Sequence, residues 1–320
     1  MGILKQKQEI RKKIKQHTCI FVVGHKNLDL DAIGSALGIY AYVKKYRKKC
    51  YIIDDDKVHE LGVSKIIQEQ NPSIFIKSDE IENIKGKSNL LIVVDTNKEN
   101  LLHNKEILNM MDNVIIIDHH QPNKYTIKNA LMVLDLDASS ACEMVTELLY
   151  SSRIKVSSKV ATAILSGIVL DTNNFVLKTD AKTYYAAYYL ASLGASTKKV
   201  QYYLKQDIKD YIIRQQVITD VEVIDDKYAI TTGNEKIKYK REELAKIATT
   251  LLHFSGIEAS FVIGKNQDNN VGVSARSDGS LNVGKLMEKL GGGGDDHEAA
   301  AQIENESIES IKEKIYDMLK

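Results

Sequence analysis

Residues 114–122 read VIIIDHHQP. Val114 to Ile117 form an unbroken apolar run of the kind expected for a strand buried on both faces. The run stops on Asp118, His119 and His120, three side chains that bind protons and metals. The same arrangement recurs in FVVGHKNLDLD (21–31), LIVVD (91–95) and SGIVLD (166–171), which end on His25, Asp29 and Asp31, on Asp95, and on Asp171. In an open parallel sheet the carboxyl ends of the strands lie along one edge, where ligands bind. The four runs are therefore expected to direct their acids and imidazoles into one cleft.

Around this stretch, apolar runs alternate with helical ones. CIFVVG (19–24), KKCYIID (48–54), NLLIVVD (89–95), NVIIIDHH (113–120) and ALMVLDLD (130–137) read as strands, with amphipathic segments such as AIGSALGIYAYVKKY (32–46) between them. The pattern predicts a doubly wound α/β domain with a mainly parallel sheet and helices on both faces, over residues 1–195. Helical spacing dominates 138–152, 157–171 and 180–194. Residues 196–219 are polar and helical and read as a linker.

A smaller α/β domain with a mixed sheet is expected over 220–320. DVEVIDDKYAITTG (220–233) and ASFVIGKNQDNNVGVSAR (259–276) read as hairpins, and REELAKIATTLLHFSG (241–256) as a helix with Leu244, Ile247, Leu251 and Leu252 on one face. GGGGDDHEAAAQI (291–303) is expected to open a further helix, and ESIESIKEKIYDML (306–319) to close the chain. The cleft between the two domains is the expected active site.

Composition sets outer bounds. A chain of 320 residues is long for one core, so two domains are expected. Lys plus Arg number 44 against 43 Asp plus Glu, which is not the strongly basic balance that duplex nucleic acid selects. The cysteines, Cys19, Cys50 and Cys142, show no CxxC spacing and read as free thiols of a reducing compartment. The apolar runs fall far short of the roughly 20 residues of a membrane span. The lysine-rich start lacks the apolar core of a secretory signal. A cytoplasmic protein without membrane contact of its own is expected, either with a native start or as a piece of a longer protein.

A single Asp after a strand is ordinarily the N-cap of the next helix, and a lone buried His is usually structural. Six or seven such groups at one edge are different, because they repel or stay unsolvated unless cations neutralise them. Carboxylate oxygen and imidazole nitrogen without thiolate suit Mn²⁺ or Mg²⁺ better than structural zinc. A bridging carboxylate holding two ions about 3.5–4 Å apart is the design that activates water against phosphorus. Hydrolysis of a phosphate ester or anhydride is the expected reaction.

GHKNLDLDAIGSALG, LIVVDTN, IIIDHH and GIVLDTNNF together resemble the four motifs of the DHH phosphoesterase superfamily, in order and spacing. VSARS followed by GGGGDDHEAAAQI resembles the DHH-associated C-terminal domain. DLDAIGSALGI and the four glycines are most similar to cyclic di-AMP phosphodiesterases of the GdpP type. The resemblance implies that His25, Asp29 and Asp95 bind one Mn²⁺, with Mg²⁺ or Co²⁺ as substitutes. It implies that Asp31, Asp95, His119 and Asp171 bind a second. Asp29 and Asp31, two apart in an extended loop, would each serve their own ion. Asp118 would orient a ligand, and His120 would meet a phosphate oxygen or the leaving group. Gly291, Gly292, Gly293 and Gly294, a following helix N-terminus, Arg276 and His297 would hold substrate phosphate.

The chain departs from the family at Leu28, where Pro is common. It also departs at Asp295 and Asp296, which stand where relatives carry His. The implied activity is opening of cyclic di-AMP to linear pApA, with a homodimer implied as well. Alternatives are a short-oligonucleotide exonuclease or 3′-phosphoadenosine 5′-phosphate phosphatase, and a non-catalytic nucleotide sensor. A pyrophosphatase or a RecJ-type DNA exonuclease fits less well, given one Arg beside the glycines and the near-neutral charge.

Overall fold

A strand whose two faces are both covered shows no polar alternation, and β1 (Cys19–Val23) is buried at every position. In the computed structural model, which describes residues 2–205 and 207–320, helix α1 (Ile3–Gln16) precedes β1, and α2 (Leu30–Lys44), β2 (Lys49–Ile53), α3 (Leu61–Gln68) and β3 (Phe75–Ile76) follow. The short α4 (Ile81–Ile84) leads to strands β4 (Asn89–Val94), β5 (Asn113–Asp118) and β6 (Leu131–Leu134). Helices α5 (Ala141–Ser151), α6 (Ser158–Asp171), α7 (Ala181–Ser192) and α8 (Thr197–Tyr203) complete the first unit, which ends at Lys205.

The strands form one sheet in the order β3-β2-β1-β4-β5-β6, with every neighbouring pair parallel. The chain leaves β1 in one direction for β2 and β3 and returns on its other side with β4. The crevice at a topological switch point therefore opens at the carboxyl ends of β1 and β4. Alternate residues divide between two apolar clusters. Ile20, Val22, Ile92, Val94, Ile115 and Ile117 meet α2, α5 and α6 on one face. Phe21, Leu91, Val93 and Ile116 meet Ile81, Leu102, Ile107 and Ile127 on the other. Long helices thus cover one face only. Segment 95–112 is rich in Asn and Lys, lacks an amphipathic stripe, and settles into the 3₁₀ turns Glu99–Leu101 and Lys105–Met110.

Residues 196–219 are divided between the units. Val200 and Tyr203, three apart on α8, are buried against the first unit. Helix α9 (Ile208–Thr219) belongs to the second. There follow β7 (Glu222–Ile224), β8 (Tyr228–Thr232), α10 (Arg241–Leu252), β9 (Ala259–Lys265), β10 (Val271–Ser277), α11 (Val283–Lys289), β11 (Gly293–Gly294), β12 (Glu298–Ile303) and α12 (Ile308–Leu319). Their sheet, in the order β11-β12-β10-β9-β8-β7, is mixed, with β8 and β9 the parallel pair. Leu244, Ile247 and Leu251 of α10 are buried as expected, whereas Leu252 is only partly so.

The helix expected to open within 291–303 is instead a pair of strands. Gly291, at φ +78°, ends α11 in the left-handed conformation that glycine adopts freely. Its N–H bonds Glu288 O at 3.0 Å, and Gly292 N–H bonds Met287 O at 2.8 Å, the two bonds of a Schellman cap. The alanines favour helix locally. Pairing of Ala299, Ala300 and Ala301 with Ala275, Ser274 and Val273 overrides that preference. No helix among the described residues is long and apolar enough to cross a membrane.

Candidate metal centre

The loop between β1 and α2 supplies the first three donors. Asp29 is the N-cap of α2, its Oδ1 accepting the N–H groups of Asp31 and Ala32 at 2.9 Å each. Asp31 lies inside the helix, not in an extended loop with Asp29. Its carboxylate accepts from Ala141 N–H at 2.7 Å and Cys142 N–H at 2.8 Å, at the N-terminus of α5. Close helix packing makes this possible. A Cβ on Gly34 would stand 2.8 Å from Ala163 O, and one on Gly167 would stand 2.8 Å from the Asp31 Cα.

Asp95 follows β4 in the left-handed region at φ +58°, a conformation that Asp tolerates better than most residues. Its oxygens face two ways: Oδ2 lies 3.4 Å from His25 Nε2 and Oδ1 lies 3.5 Å from His119 Nε2. His25 Nε2 is also 3.7 Å from Asp29 Oδ2. His119 Nε2 is 3.3 Å from Asp171 Oδ2 and 3.9 Å from Asp31 Oδ2. Asp171 reaches the site from the last turn of α6 and not from a strand, because the apolar run before it has helical spacing. Two donor groups result, His25–Asp29–Asp95 and Asp31–Asp95–His119–Asp171, each with its ligand atoms within 4.8 Å of one another. Asp95 is common to both.

The residues fit divalent ions. Ligand atoms about 2.1 Å from one ion lie roughly 3 Å apart, close to the spacings above. Asp95 Oδ1 and both ring nitrogens of His119 are buried without a hydrogen-bond partner, a costly state for polar atoms unless a cation meets them. Among the described residues, the ion pairs of these carboxylates are to histidine only. Without metal, protons do the neutralising. Burial alone would lower the His25 imidazolium, but Asp29 and Asp95 outweigh it and push it up to about 12. His119, similarly opposed by burial, is pushed up to about 11 by Asp171, Asp95 and Asp31. Burial and the neighbouring carboxylates raise Asp31. Binding of a divalent ion near pH 7.5 is therefore expected to displace protons from both imidazoles. Titration in weak buffer is expected to acidify the solution, and affinity is expected to rise with pH; a pH-independent isotherm would contradict the assignment of these histidines.

Asp118 faces the next histidine. Its Oδ1 accepts His120 Nδ1–H at 2.8 Å and His119 N–H at 2.9 Å, and its Oδ2 accepts Asn97 Nδ2–H at 2.7 Å. Among the described residues the pairing leaves His120 Nε2 without a hydrogen bond, and the ring is half-exposed. His120 lines a cavity of about 220 Å³ together with His25, Asp29, Asp95, Thr96, Lys98, Leu101 and Asp171. Asn97, Thr96 and Lys98 were not among the candidates read from sequence. Their signal was adjacency to Asp95 in LIVVDTNK.

In the second unit Arg276 Nη1 donates to Ala275 O at 2.9 Å, and Nη2 lies 3.4 Å from Glu298 Oε2. Gly292 and Gly294 pack against β12, where a Cβ would meet backbone oxygen at 2.2 Å, while Gly291 and Gly293 face open space. Because a strand follows the glycines, the expected helix N-terminus is not there to attract phosphate. Asp295 Oδ1 accepts the N–H groups of His297 and Glu298, so it closes the β11–β12 turn. Asp296 accepts from Asn282, and His297 Nδ1 lies 3.2 Å from Ser277 O.

The chain is similar to known proteins. Residues 19–168 match the DHH family N-terminal domain and residues 225–320 match the DHHA1 domain. The cyclic-di-AMP phosphodiesterase PdeA of Listeria monocytogenes is 38% identical over 96% of this chain, and the cyclic-di-AMP phosphodiesterase GdpP of Geobacillus thermodenitrificans is 36% identical over 96%. The chain spans about half the length of each, 48% and 49%. An exopolyphosphatase-related protein from Bacteroides fragilis has the same fold, with a TM-score of 0.81 at 18% identity over 98% of this chain and 95% of its own. With the DHH sequence itself at residues 118–120, its acids and imidazoles gathered at the carboxyl edge of the parallel sheet and a DHHA1 domain later in the sequence, this chain belongs to the DHH family.

Proposed function

We propose that the chain hydrolyses cyclic di-AMP to pApA with two Mn²⁺ ions per site. The observation that carries this reading is the pair of donor groups joined through the two oxygens of Asp95. Similarity to cyclic-di-AMP phosphodiesterases over nearly the whole chain supplies the substrate. Bound in such a pair, the ions would acidify a water and offset the charge that develops on the phosphoryl oxygens.

The chain's own groups do the rest. His25 and Asp29 would hold one ion, Asp31, His119 and Asp171 the other, and Asp95 both. Asp118 and Asn97 fix the His120 loop, and Asp118 accepts the ring's Nδ1–H, which leaves Nε2 as the nitrogen for the substrate. Water adds at phosphorus, the P–O bond to the 3′ oxygen breaks, and the 5′-phosphate remains on the product. Carrying a proton on both ring nitrogens, His120 would donate from Nε2 to that 3′ oxygen or to a phosphate oxygen. A cavity of about 220 Å³ suits a phosphodiester with its adjoining sugar rather than a whole dinucleotide. In the second unit Arg276 Nε is buried without a partner and remains a donor for phosphate.

A substrate panel under Mn²⁺ tests this. Cyclic di-AMP is expected to yield pApA, ahead of cyclic di-GMP, pApA itself and short RNA. Intact cyclic di-AMP beside degraded RNA would overturn the reading in favour of an oligonucleotide exonuclease; tight nucleotide binding with no product at any Mn²⁺ concentration would favour a sensor. His120→Ala is expected to lower kcat by roughly 10²–10⁴-fold, the usual range for a general acid, with bound Mn²⁺ unchanged. Parallel loss of metal would make His120 a ligand instead.

A further inference from the structure

A second group of carboxylates and imidazoles sits at the carboxyl end of β2, outside the donor set above. His59 Nε2 lies 3.0 Å from Asp54 Oδ2, and its Nδ1 lies 3.8 Å from Asp56 Oδ2. His103 Nε2–H donates to Asp56 Oδ1. The donor types and spacing admit a metal ion. The oxygens of Asp56 are already engaged, however. Oδ1 accepts Asn27 N–H at 3.0 Å and Oδ2 accepts Leu28 N–H at 2.8 Å.

Those two N–H groups belong to the loop that carries His25 at one end and Asp29 at the other. The loop turns at Asn27, at φ +57°, a left-handed conformation that Asn tolerates, and the two N–H groups of this turn are the ones Asp56 receives. Lys26 N–H, bonded to Leu101 O at 2.7 Å, anchors the loop from the segment that also bears His103. Lys77 Nζ in turn donates to the Asp54 and Asp56 carbonyls, fixing the β2 end.

We propose that Asp56, steadied by His103, is the positioning residue that sets the His25–Asp29 half of the metal centre. This rests on the two-ion reading of the site. Three N–H donors converge on two oxygens, so only a carboxylate satisfies them all; an amide would turn its NH₂ against a donor. Burial would raise the Asp56 carboxyl, but the Leu28 N–H, His103 and the Asn27 N–H bring it below its ordinary value, so it is charged when the centre loads.

The test is Mn²⁺ binding, followed by the EPR signal of the free ion, on the 320-residue chain and its Asp56→Asn and His103→Gln variants, with melting curves taken without metal. The parent chain is expected to show two classes of site. Asp56→Asn is expected to weaken one class by roughly 10–100-fold, the effect typical of groups that orient metal ligands, and to leave the other class unchanged. His103→Gln should weaken the same class by less. Equal weakening of both classes, or no change in either, would overturn the proposal. A third Mn²⁺ equivalent lost with Asp56 would overturn it too, in favour of an ion at Asp54, Asp56 and His59. If Asp56→Asn does not fold, His103→Gln decides, since that ring is 39% exposed: an unchanged isotherm sinks the idea. A parent chain that binds no Mn²⁺ would defeat the two-ion reading itself, and this inference with it.

Discussion

Asp95→Asn is expected to abolish measurable turnover of cyclic di-AMP and to empty both ion sites while the fold survives. No other side chain belongs to both donor groups, and its two oxygens face His25 and His119 separately. Losing several kcal/mol of charge stabilisation at the transition state slows turnover by roughly 10³-fold or more. The substitution is nearly isosteric and sits at a φ of +58° that Asn tolerates as well as Asp, so packing should be retained. Bound manganese after gel filtration, counted by atomic absorption, is the direct readout. A variant that keeps two ions per chain, or loses only one, would show that Asp95 does not bridge.

Manganese should also hold the first unit together. Four carboxylates in the two donor groups, Asp31 and Asp95 buried among them, repel one another unless something neutralises them. A ligand at 100 times its Kd stabilises by about 2.7 kcal/mol per site, and at roughly 2–4 °C per kcal/mol for a unit of this size the melting temperature should rise by roughly 5–10 °C per ion. EDTA should reverse the gain. In EDTA the stability also depends on pH, with a sign that follows from the histidines. The His25 and His119 pKa values are raised above their unfolded values. Their contribution is therefore complete below about pH 6.5 and is lost as pH rises toward 11. Asp31, also raised, pulls the same way. The metal-free protein should melt at progressively lower temperature from pH 6.5 to 9 while the manganese form changes less. A melting temperature indifferent to saturating manganese would remove the metal centre from the account.

Much of the site was legible because burial and chemistry leave different marks. β1, β4 and β5 are covered on both faces, so their runs carry no polar interruption, and any polar group at the run's end stands out. Asp95, Asp118, His119 and His120 were found in that way. Asp171 was found from the same mark, at the end of a segment whose helical spacing already pointed to α6 as its carrier. Asp56 stands just past the β2 run in IIDDD, but nothing local shows what it holds, and His103 left no mark. Their work is to accept and donate hydrogen bonds across 28 and 47 positions of chain, and local pattern does not encode such pairings.

The amino-acid order by itself determined which segments become strands or helices in the first unit and which side chains crowd the edge of its sheet, because those depend on hydrophobic periodicity and on where it breaks. Tertiary structure alone decided that Asp31 lies on the N-terminus of α5, that the Asp95 oxygens face opposite ways, and that Ala299–Ala301 pair as a strand. Each of these is set by contacts between residues remote in the chain, such as glycine-permitted helix approach or an open sheet edge, whose free energy outweighs local preference.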